Sequence, residues 1–407
     1  MKDKRILVVI PYIDSVPLKG FEVLLKNHID ELVRHYSVDI ICLKRLDGRT
    51  TDFNHPNIDF TSVDVNILDK IIGLFLCMVR LFPFQSAPFV NPKFMKVLGR
   101  LVNTRDYEQV LCYMSRTYPA LELVKPKEKK FSLGVYAIDP LALSYYKLRL
   151  SAQNMMSLAY RAEGWLMKRL DRKIISDGHR FALISDSDRH DYLNFLGIAE
   201  KNTIDIVPYG VDHCSDHLDI NNKKAGRAIV TGSGNYRPNQ VALQYLLKDI
   251  WPLIDGDPML HLDIAGKGHS KEVVDLANSL KAVNFLGFVK NLEDELCCAN
   301  FALCLVALDI GVQTKVLEAM AVGTPIICSS ASNKGVHGVN GVHLLIADNP
   351  EEVVLCIRKL MANPDLVSSM STSSQNFVRS NFSWSVSSQK LIEFLSRDNQ
   401  ELHFHND

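Results

Sequence analysis

The stretch 301–330 constrains the fold of this chain more than any other part of the sequence. It opens with FALCLVAL, an apolar run with the length of a buried parallel strand. A polar turn around Gly311 follows, and residues 315–322 then have the composition of a helix, which Gly323 ends. Thr324 and Pro325 break the chain before a second apolar run, IICSS. The segment therefore predicts a strand, a glycine turn, a helix and a second buried strand.

The glycine turn and the start of the helix have the chemistry of an anion site. A strand, turn and helix of this kind direct free backbone N–H groups and a positive helix end at one place. Lys315 lies in the first helical turn and Glu318 one turn further, so both share a face. A cation for phosphate and a carboxylate for sugar hydroxyls suit a nucleotide diphosphate-sugar. A solvated Lys–Glu pair is the alternative, and the spacing alone does not decide between them.

Residues 311–327, GVQTKVLEAMAVGTPII, resemble the donor-site signature of family 4 glycosyltransferases, which are retaining enzymes of the GT-B fold. Glu318 matches the second glutamate of that family's two-glutamate motif, which holds the ribose hydroxyls. The first glutamate is replaced by Ile310, with Asp309 beside it, so the group that contacts the transferred sugar is left open. A branch associated with bacterial exopolysaccharide systems also lacks this glutamate, and the chain looks most like that branch. The resemblance implies catalytic roles for Lys315 and Glu318.

Glycine loops at the ends of two further predicted strands are also candidates for contacts with the nucleotide-sugar. A strand at 228–231 precedes GSGNYRPN, and a strand at 260–265 precedes GKGH. Glycine lets the backbone approach a ligand closely, although a lone G-x-G is a weak signal. Many family members hold the pyrophosphate with an Arg and a Lys of the first loop, where this chain has Ser233 and, near the Lys position, Asn239. Arg237 is the available cation, with an ordinary surface arginine as its alternative. The resemblance thus implies donor contacts from Gly232, Gly234, Arg237, Gly266, Gly268, Gly287, Gly311, Val312, Gln313 and Thr314.

Length and charge limit the classes of function. The 407 residues exceed one ordinary core and predict two domains. The formal net charge is zero, which gives no global basic field and argues against nucleic acid as a partner. Residues 1–210 carry 30 Lys and Arg against 24 Asp and Glu. This mildly basic half suits an anionic acceptor or an anionic lipid surface, with scattered solvated charges as the alternative.

Cysteines and apolar runs bear on location and on metals. The nine cysteines include no C-x-x-C and form no His/Cys cluster at metal spacing. Several lie inside apolar runs, which predicts buried, reduced thiols and a cytosolic protein. The N-terminal apolar run is too short for a signal peptide and predicts a first strand instead. No apolar run reaches the 18 or so uncharged residues of a membrane span.

Two positions of the N-terminal half are candidates for the acceptor side. Gly20 precedes the helix of a predicted βαβ opening, where the resembling family has a glycine loop that lines the acceptor side. An ordinary loop glycine is its alternative. Asp139 follows a predicted strand at 133–138, where open α/β sheets place their chemistry, and is the candidate polar group beside the acceptor. Its alternative is a cap of the next helix, favoured by Pro140.

Residues 67–84, ILDKIIGLFLCMVRLFPF, are the most apolar stretch of the N-terminal half. They predict a core or interdomain helix, or else a surface helix that docks on the membrane, where lipid-linked acceptors are found. The sequence leaves both open.

The resemblance covers residues from about 4 to 395 and implies a GT-B fold, in which two Rossmann-like α/β domains face each other across a cleft. Residues 1–210 would form the acceptor-binding domain, 211–226 a linker, and 227–375 the nucleotide-sugar-binding domain. A C-terminal helix, 376–395, would pack back onto the first domain.

The implied function is a retaining transfer, without metal or other cofactor, from a nucleotide diphosphate-sugar to a glycan or lipid-linked acceptor in bacterial surface or exopolysaccharide synthesis. The enzyme would be cytoplasmic, with peripheral contact with the inner membrane left open. A catalytically inactive, transferase-like binding subunit and a GT-B nucleotide-sugar epimerase are the alternatives.

Overall fold

The structure, a computed structural model, describes residues 4–12, 20–44, 55–124, 131–151, 155–199, 203–212, 223–307 and 309–397. The chain divides into two compact units. Unit 1 comprises Met1–Pro208 together with Ser387–Asp407, and unit 2 comprises Tyr209–Val386. Each unit is built around its own parallel sheet.

Unit 1 contains a seven-stranded sheet. Its strands are β1 (Arg5–Val9), β2 (Ser37–Leu43), β3 (Ile58–Val63), β4 (Gln109–Tyr113), β5 (Ser132–Ile138), β6 (Arg180–Leu183) and β7 (Asp205–Ile206). Its helices are α1 (Phe21–His35), α2 (Ile67–Arg80), α3 (Pro92–Thr104), α4 (Tyr118–Val124), α5 (Leu141–Ser151), α6 (Met155–Ser176) and α7 (Asp186–Leu196). The strand order β3-β2-β1-β4-β5-β6-β7 reverses beside β1, as in a Rossmann-like domain.

Unit 2 repeats this plan with six strands. They are β8 (Lys224–Thr231), β9 (His261–Ala265), β10 (Val283–Gly287), β11 (Ala299–Cys304), β12 (Ile326–Cys328) and β13 (Leu345–Ile346). The helices are α8 (Arg237–Tyr245), α9 (Lys271–Asn278), α10 (Leu292–Cys297), α11 (Thr314–Ala321), α12 (Ser330–Asn333), α13 (Pro350–Ala362) and α14 (Pro364–Asn381). The order β10-β9-β8-β11-β12-β13 again reverses beside the first strand of the unit.

The apolar runs found in the sequence become the central strands of these sheets. β1, β4 and β6 are buried along almost their whole length, and so is β11. Helices cover both faces of a doubly wound parallel sheet, so its strands have no water-facing side and tolerate continuous apolar sequence. Each unit has its own hydrophobic core between sheet and helices.

The C-terminal segment forms two helices instead of the predicted single helix 376–395. α14 ends at Asn381, and a separate helix, α15 (Trp384–Ser396), begins three residues later. The break occurs because Phe382 leaves the helical conformation and its carbonyl accepts a hydrogen bond of 2.8 Å from the Val211 N–H. Of the predicted linker 211–226, residues 213–222 lie outside the described residues, and β8 begins at Lys224.

From Ser387 onward α15 belongs to unit 1. His28 of α1 bonds Ser387 Oγ through Nε2 at 2.9 Å and Tyr113 Oη through Nδ1 at 2.8 Å, and burial lowers its pKa to about 3. The ring of Phe394 packs on β5 at Gly134, where a Cβ would lie 2.9 Å from it. A buried, neutral histidine and a glycine contact therefore hold the end of the chain on unit 1.

The core alternative for residues 67–84 is wrong, because α2 lies at the surface of unit 1. Of its residues only Gly73 and Cys77 are buried. Leu76 is partly buried against the core of unit 1, and the remaining large apolar side chains of this helix are exposed.

Candidate functional site

Three loops meet at the carboxyl edge of the sheet of unit 2. They follow β8, β9 and β10, and backbone hydrogen bonds join them directly. Gly232 N–H donates to the Ala265 carbonyl at 2.9 Å, Gly234 N–H to Lys267 at 2.9 Å, and Gly266 N–H to Gly287 at 2.7 Å. The predicted glycines 232, 234, 266 and 287 thus lie together at one edge.

The glycines of these loops are required by loop-to-loop packing. A Cβ on Gly266, which has a positive φ of 149°, would lie 1.9 Å from the Gly232 carbonyl oxygen. A Cβ on Gly234 would lie 2.4 Å from the His269 backbone, and one on Gly268 would lie 2.4 Å from Asn235 Oδ1. At Gly287 (φ 67°) no heavy atom lies within 4 Å of the Cβ position. Gly266 and Gly234 therefore bring backbones together, Gly268 leaves room for the Asn235 side chain, and the surroundings of Gly287 are open.

Lys315 reaches from α11 to this loop cluster. Its Nζ donates to Asn239 Oδ1 at 2.6 Å, and Asn239 Nδ2 donates to the Ser233 carbonyl at 3.0 Å. The same Nζ lies 3.2 Å from the Cβ position of Gly232. Asn239 therefore orients the ammonium group of Lys315 at the first glycine loop, a role that the sequence did not reveal.

Below this contact, a pocket opens between the sheet and α8. Gly232, Asn239, His269 and Lys315 provide its polar edge. Its apolar lining comes from Leu243, Leu246, Ile264, Leu303 and neighbouring residues. Burial lowers the pKa of His269, so the ring is neutral at physiological pH, and it lies 5.4 Å from the Phe285 ring. His269 directly follows the GKG run and is a second pocket residue that the sequence did not reveal.

Glu318 lies one turn after Lys315, as the spacing predicted. Burial raises the pKa of its carboxyl group, while the Lys315 charge and the Thr314 hydroxyl oppose that shift. Gln313 stands before the first residue of α11 and provides no side-chain cap. Gly311 has a left-handed φ of 72°, and a Cβ on Gly335 would lie 2.3 Å from its carbonyl oxygen. The turn 311–314 is therefore held close to the chain at Gly335, with Val312 and Gln313 partly exposed.

An apolar side chain, Ile310, occupies the position at which the resembling transferases have their first motif glutamate. Ile310 is buried, with 7 % of its surface exposed. The neighbouring Asp309 forms an ion pair of 3.2 Å with Lys334. The carboxylate that lies beside position 310 is thus engaged with a lysine of the same unit.

Arg237 stands apart from these residues. It is the first residue of α8, its side chain is exposed, and it does not line the pocket. Within the described ranges it forms no hydrogen bond or ion pair. Lys315 therefore lines the pocket beside the glycine loops, whereas Arg237 does not.

In unit 1, the two acceptor candidates occupy the carboxyl edge of the sheet. Asp139 directly follows β5, and burial together with the nearby Asp188 carboxylate raises its pKa to about 7. Asp188 is itself held by Ser185, which caps α7, so the D-x-D run at 186–188 serves a helix start. Gly20 precedes α1 with a φ of 36°, and no heavy atom lies within 4 Å of its Cβ position.

Arg116 is a further residue at this edge that the sequence did not reveal. It follows β4, whose neighbour in the sheet is β5. Its guanidinium donates to Gln85 Oε1 at 2.9 Å and to Met114 Sδ at 2.9 Å, and burial lowers its pKa. Both partners are neutral, and among the described residues Arg116 forms no ion pair, which leaves its charge to an anionic group at this edge.

The described residues contain neither a metal-binding cluster nor a membrane-spanning helix. Among the residues that the structure describes, no group of three or more His, Cys, Asp or Glu side chains could hold a metal ion. No helix within those residues has the length and apolarity to cross a bilayer.

Comparison with known proteins gives a domain match and a fold. Residues 227–363 match the family model described as glycosyl transferases group 1, so unit 2 contains a domain of that type. A search of curated protein sequences finds no match. HepE of Anabaena in complex with UDP superposes with a TM-score of 0.68 at 12 % identity, covering 96 % of this chain and 99 % of that one.

Two other solved structures are similar to the same extent. Sucrose-phosphate synthase of Thermosynechococcus elongatus gives a TM-score of 0.69 at 12 % identity, over 96 % of this chain and 98 % of its own. TarM, which is from S. aureus, gives 0.67 at 9 % identity, over 97 % and 99 %. These likenesses confirm the predicted GT-B fold of two Rossmann-like domains.

Proposed function

We propose that this protein transfers a sugar from a nucleotide diphosphate-sugar, which unit 2 binds, to an acceptor bound by unit 1. The observation that carries the proposal is the Lys315–Asn239–Gly232 cluster at the start of α11, with Glu318 one turn further. It lies within the segment that matches the group 1 family model. UDP is the first nucleotide to test, because the solved HepE complexes contain UDP, or UDP-glucose.

The residues of the cluster have separate roles in this proposal. Lys315 and the N–H groups at the uncapped start of α11 offset the charge of the leaving diphosphate. Glu318 accepts hydrogen bonds from the ribose hydroxyls. Gly287, whose Cβ position is open, lets the backbone approach the base. Gly232, Gly234, Gly266 and Gly268 keep the loops close enough for one ligand to contact all of them.

The transfer we propose proceeds with retention and without a metal. A covalent glycosyl intermediate needs a carboxylate beneath the anomeric carbon. Ile310 offers none, and Asp309 is paired with Lys334. The acceptor oxygen would therefore form its bond to the anomeric carbon on the face from which the diphosphate departs. The bond from that carbon to the diphosphate oxygen breaks, and the proton of the acceptor hydroxyl passes to the departing phosphate.

The acceptor proposed for unit 1 is a glycan or a lipid-linked glycan of bacterial envelope or exopolysaccharide synthesis, modified at the cytoplasmic side. Asp139 would contact its hydroxyl groups, and Gly20 would lie along its path. Arg116, whose partners are neutral, would bind an acidic group of the acceptor.

Two observations favour a second candidate, a nucleotide-binding subunit without turnover. Ile310 is apolar and Arg237 does not line the pocket, so the donor side has fewer polar groups than a transferase would use. Such a subunit would bind the nucleotide but would not consume its sugar.

The test combines binding with turnover. Calorimetric titration with UDP, GDP, ADP and their sugars should show one base that binds wild type, and binding should be lost in Glu318→Ala. Release of the free nucleoside diphosphate in the presence of a membrane extract that contains acceptors would then establish transfer. Binding without release would favour the binding subunit, and sugar conversion without any acceptor would favour an epimerase. A folded wild type that binds none of the nucleotides would refute the proposal.

A further inference from the structure

α2 presents an unusually apolar surface to solvent. Eight of its large apolar side chains are exposed, from 41 % at Leu74 to 76 % at Ile67. They are Ile67, Leu68, Ile71, Ile72, Leu74, Phe75, Met78 and Val79. Leu81 and Phe84, just beyond the helix, extend the same surface. Contiguous apolar patches of this kind on soluble proteins mark contact sites. We call this set of ten residues the α2 face.

The helix that carries the α2 face is a well-formed element of unit 1. Asn66 and Asp69 form a reciprocal capping box, with bonds of 2.8 and 3.0 Å. Leu81 ends the helix in a left-handed conformation. A Cβ on Gly73 would lie 2.0 Å from the Ala87 carbonyl oxygen, so the glycine allows the helix backbone to pack directly against the segment that follows it. Only a narrow stripe of α2 therefore contacts the protein, and the wide apolar face is held outward.

Cations flank the α2 face on the neighbouring helix α6. Arg169 of α6 donates to the Leu81 carbonyl at 3.2 Å, and Glu163 accepts the N–H groups of Phe84 and Gln85 at 2.8 and 3.0 Å. The exposed side of α6 carries Arg161, Trp165, Arg169 and Arg172. Both acidic residues of that helix, Glu163 and Asp171, are buried. The surface that α6 adds is thus cationic, with one exposed aromatic ring.

The helix α3, which packs beside α2, has the same charge. Its charged residues are Lys93, Lys96 and Arg100, all exposed, and its sequence contains no acidic residue. The only acidic residue of α2 is Asp69, which is used in the cap. Both helices that adjoin the α2 face therefore expose positive and no negative side chains.

We propose that the α2 face and the arginines of α6 form a docking surface for an anionic phospholipid bilayer. At 14 residues α2 is about 21 Å long, shorter than the roughly 30 Å core of a bilayer, so it would lie in the interface rather than cross it. Aliphatic and aromatic side chains enter the acyl boundary, and arginines contact lipid phosphates. Trp165 suits the headgroup level, where amphipathic rings are favoured.

Charge decides between a bilayer and a second copy of the chain. A two-fold contact through the α2 face would bring the same cationic helices of both copies together, which like-charge repulsion opposes. An anionic bilayer instead neutralises all of these cations at once. This inference does not rest on sugar transfer, although it would bring unit 1 to the surface where lipid-linked acceptors reside.

The experiment is flotation of the full chain with vesicles of phosphatidylcholine alone or mixed with phosphatidylglycerol. Wild type should float with the anionic vesicles and much less with the neutral ones. The double variant Ile71→Ser/Phe75→Ser should weaken binding by about tenfold or more, because both side chains are apolar and more than half exposed. Leu355→Ser is the matched control, since Leu355 is 63 % exposed on α13 of unit 2, and should leave binding unchanged.

A second variant separates charge from apolar contact. Arg161→Ser/Arg172→Ser should reduce the preference for anionic vesicles and the sensitivity to salt. Thermal midpoints within a degree or two of wild type would verify that the variants are folded. Equal flotation of wild type and the Ile71/Phe75 variant would overturn the proposal, and so would the absence of wild-type flotation at low salt. A wild-type dimer that the same variant dissociates without lipid would assign the face to a second copy instead.

Discussion

Replacing Lys315 with Met should weaken binding of the nucleoside diphosphate without unfolding unit 2. Met retains most of the length and apolar volume of the side chain but removes its charge. The ammonium group lies 2.6 Å from Asn239 Oδ1 and close to Gly232, so its position is set before any ligand arrives. A phosphate oxygen beside Gly232 would therefore find the cation already oriented.

The size of the effect follows from this geometry. A hydrogen bond between charged groups contributes about 1.5–3 kcal/mol, which corresponds to roughly a 10- to 150-fold change in Kd. Lys315 is only partly buried, so the solvent screens part of the charge and the upper limit is not expected. We expect a loss of about 10- to 50-fold, smaller at high salt.

The assay is isothermal titration of wild type and variant with the diphosphate nucleotide that wild type binds most tightly. Lys359→Met is the matched control, since Lys359 is an exposed cation in the last turn of α13. It removes the same charge from unit 2 outside the glycine loops. If Lys315→Met binds within about twofold of wild type, Lys315 does not contact the diphosphate, and the reasoning from its position is refuted.

Three further predictions concern the glutamate, the glycine loops and Asp139. Burial raises the pKa of the Glu318 carboxyl group, so the folded state loses stability as pH rises above the ordinary pKa of a glutamate. Glu318→Gln should therefore leave the thermal midpoint at pH 8 unchanged or higher while nucleotide binding falls, and a lower midpoint with intact binding would contradict this. Gly266→Ala should destabilise unit 2 by about 2–4 kcal/mol in a denaturant titration, because the new Cβ would lie 1.9 Å from the Gly232 carbonyl oxygen. Gly256→Ala is the control and should be tolerated, since no heavy atom lies within 4 Å of that Cβ position. The pKa of Asp139 is raised from 3.8 to about 7, so wild type should lose up to about 4 kcal/mol of folding stability as pH rises between these values. Asp139→Asn should abolish that loss, and equal slopes of thermal midpoint against pH in wild type and variant would disprove the prediction.

Local patterns gave the elements of the donor site, but not the contacts among them. The predicted helix 315–322 is α11, Thr314–Ala321, and the face shared by Lys315 and Glu318 follows from helical spacing alone. The partner of Lys315 is Asn239, which is 76 residues away in the chain. No periodicity reports a contact at that separation. The same limit applies to Arg237, whose nearness to the glycine loop in sequence does not bring its side chain into the pocket.

Glycine and apolar residues also indicate local features of the chain, but they do not indicate which other elements those features contact. The sequence predicts that the backbone approaches a ligand at the glycine loops, and the contacts that the structure shows at Gly234, Gly266 and Gly268 are with neighbouring loops of the chain. For α2 the composition predicted an apolar helix, while burial depends on which elements cover it. Only the tertiary arrangement of unit 1 reveals that its wide face is uncovered.

The resembling transferases have two cations at the first glycine loop, where this chain has Ser233 and, near the second position, Asn239. This difference has a physical consequence for the candidate donor site. Two adjacent cations repel each other until an anion arrives, so part of the binding energy relieves that repulsion. Here a neutral amide holds Lys315 by its Oδ1 and the loop by its Nδ2, so the single cation is positioned in the absence of ligand. Pre-organisation of this kind lowers the cost of ordering on binding. Because salt screens charge but not backbone or amide hydrogen bonds, the affinity of this site for a diphosphate should depend on salt less than that of a site with two cations.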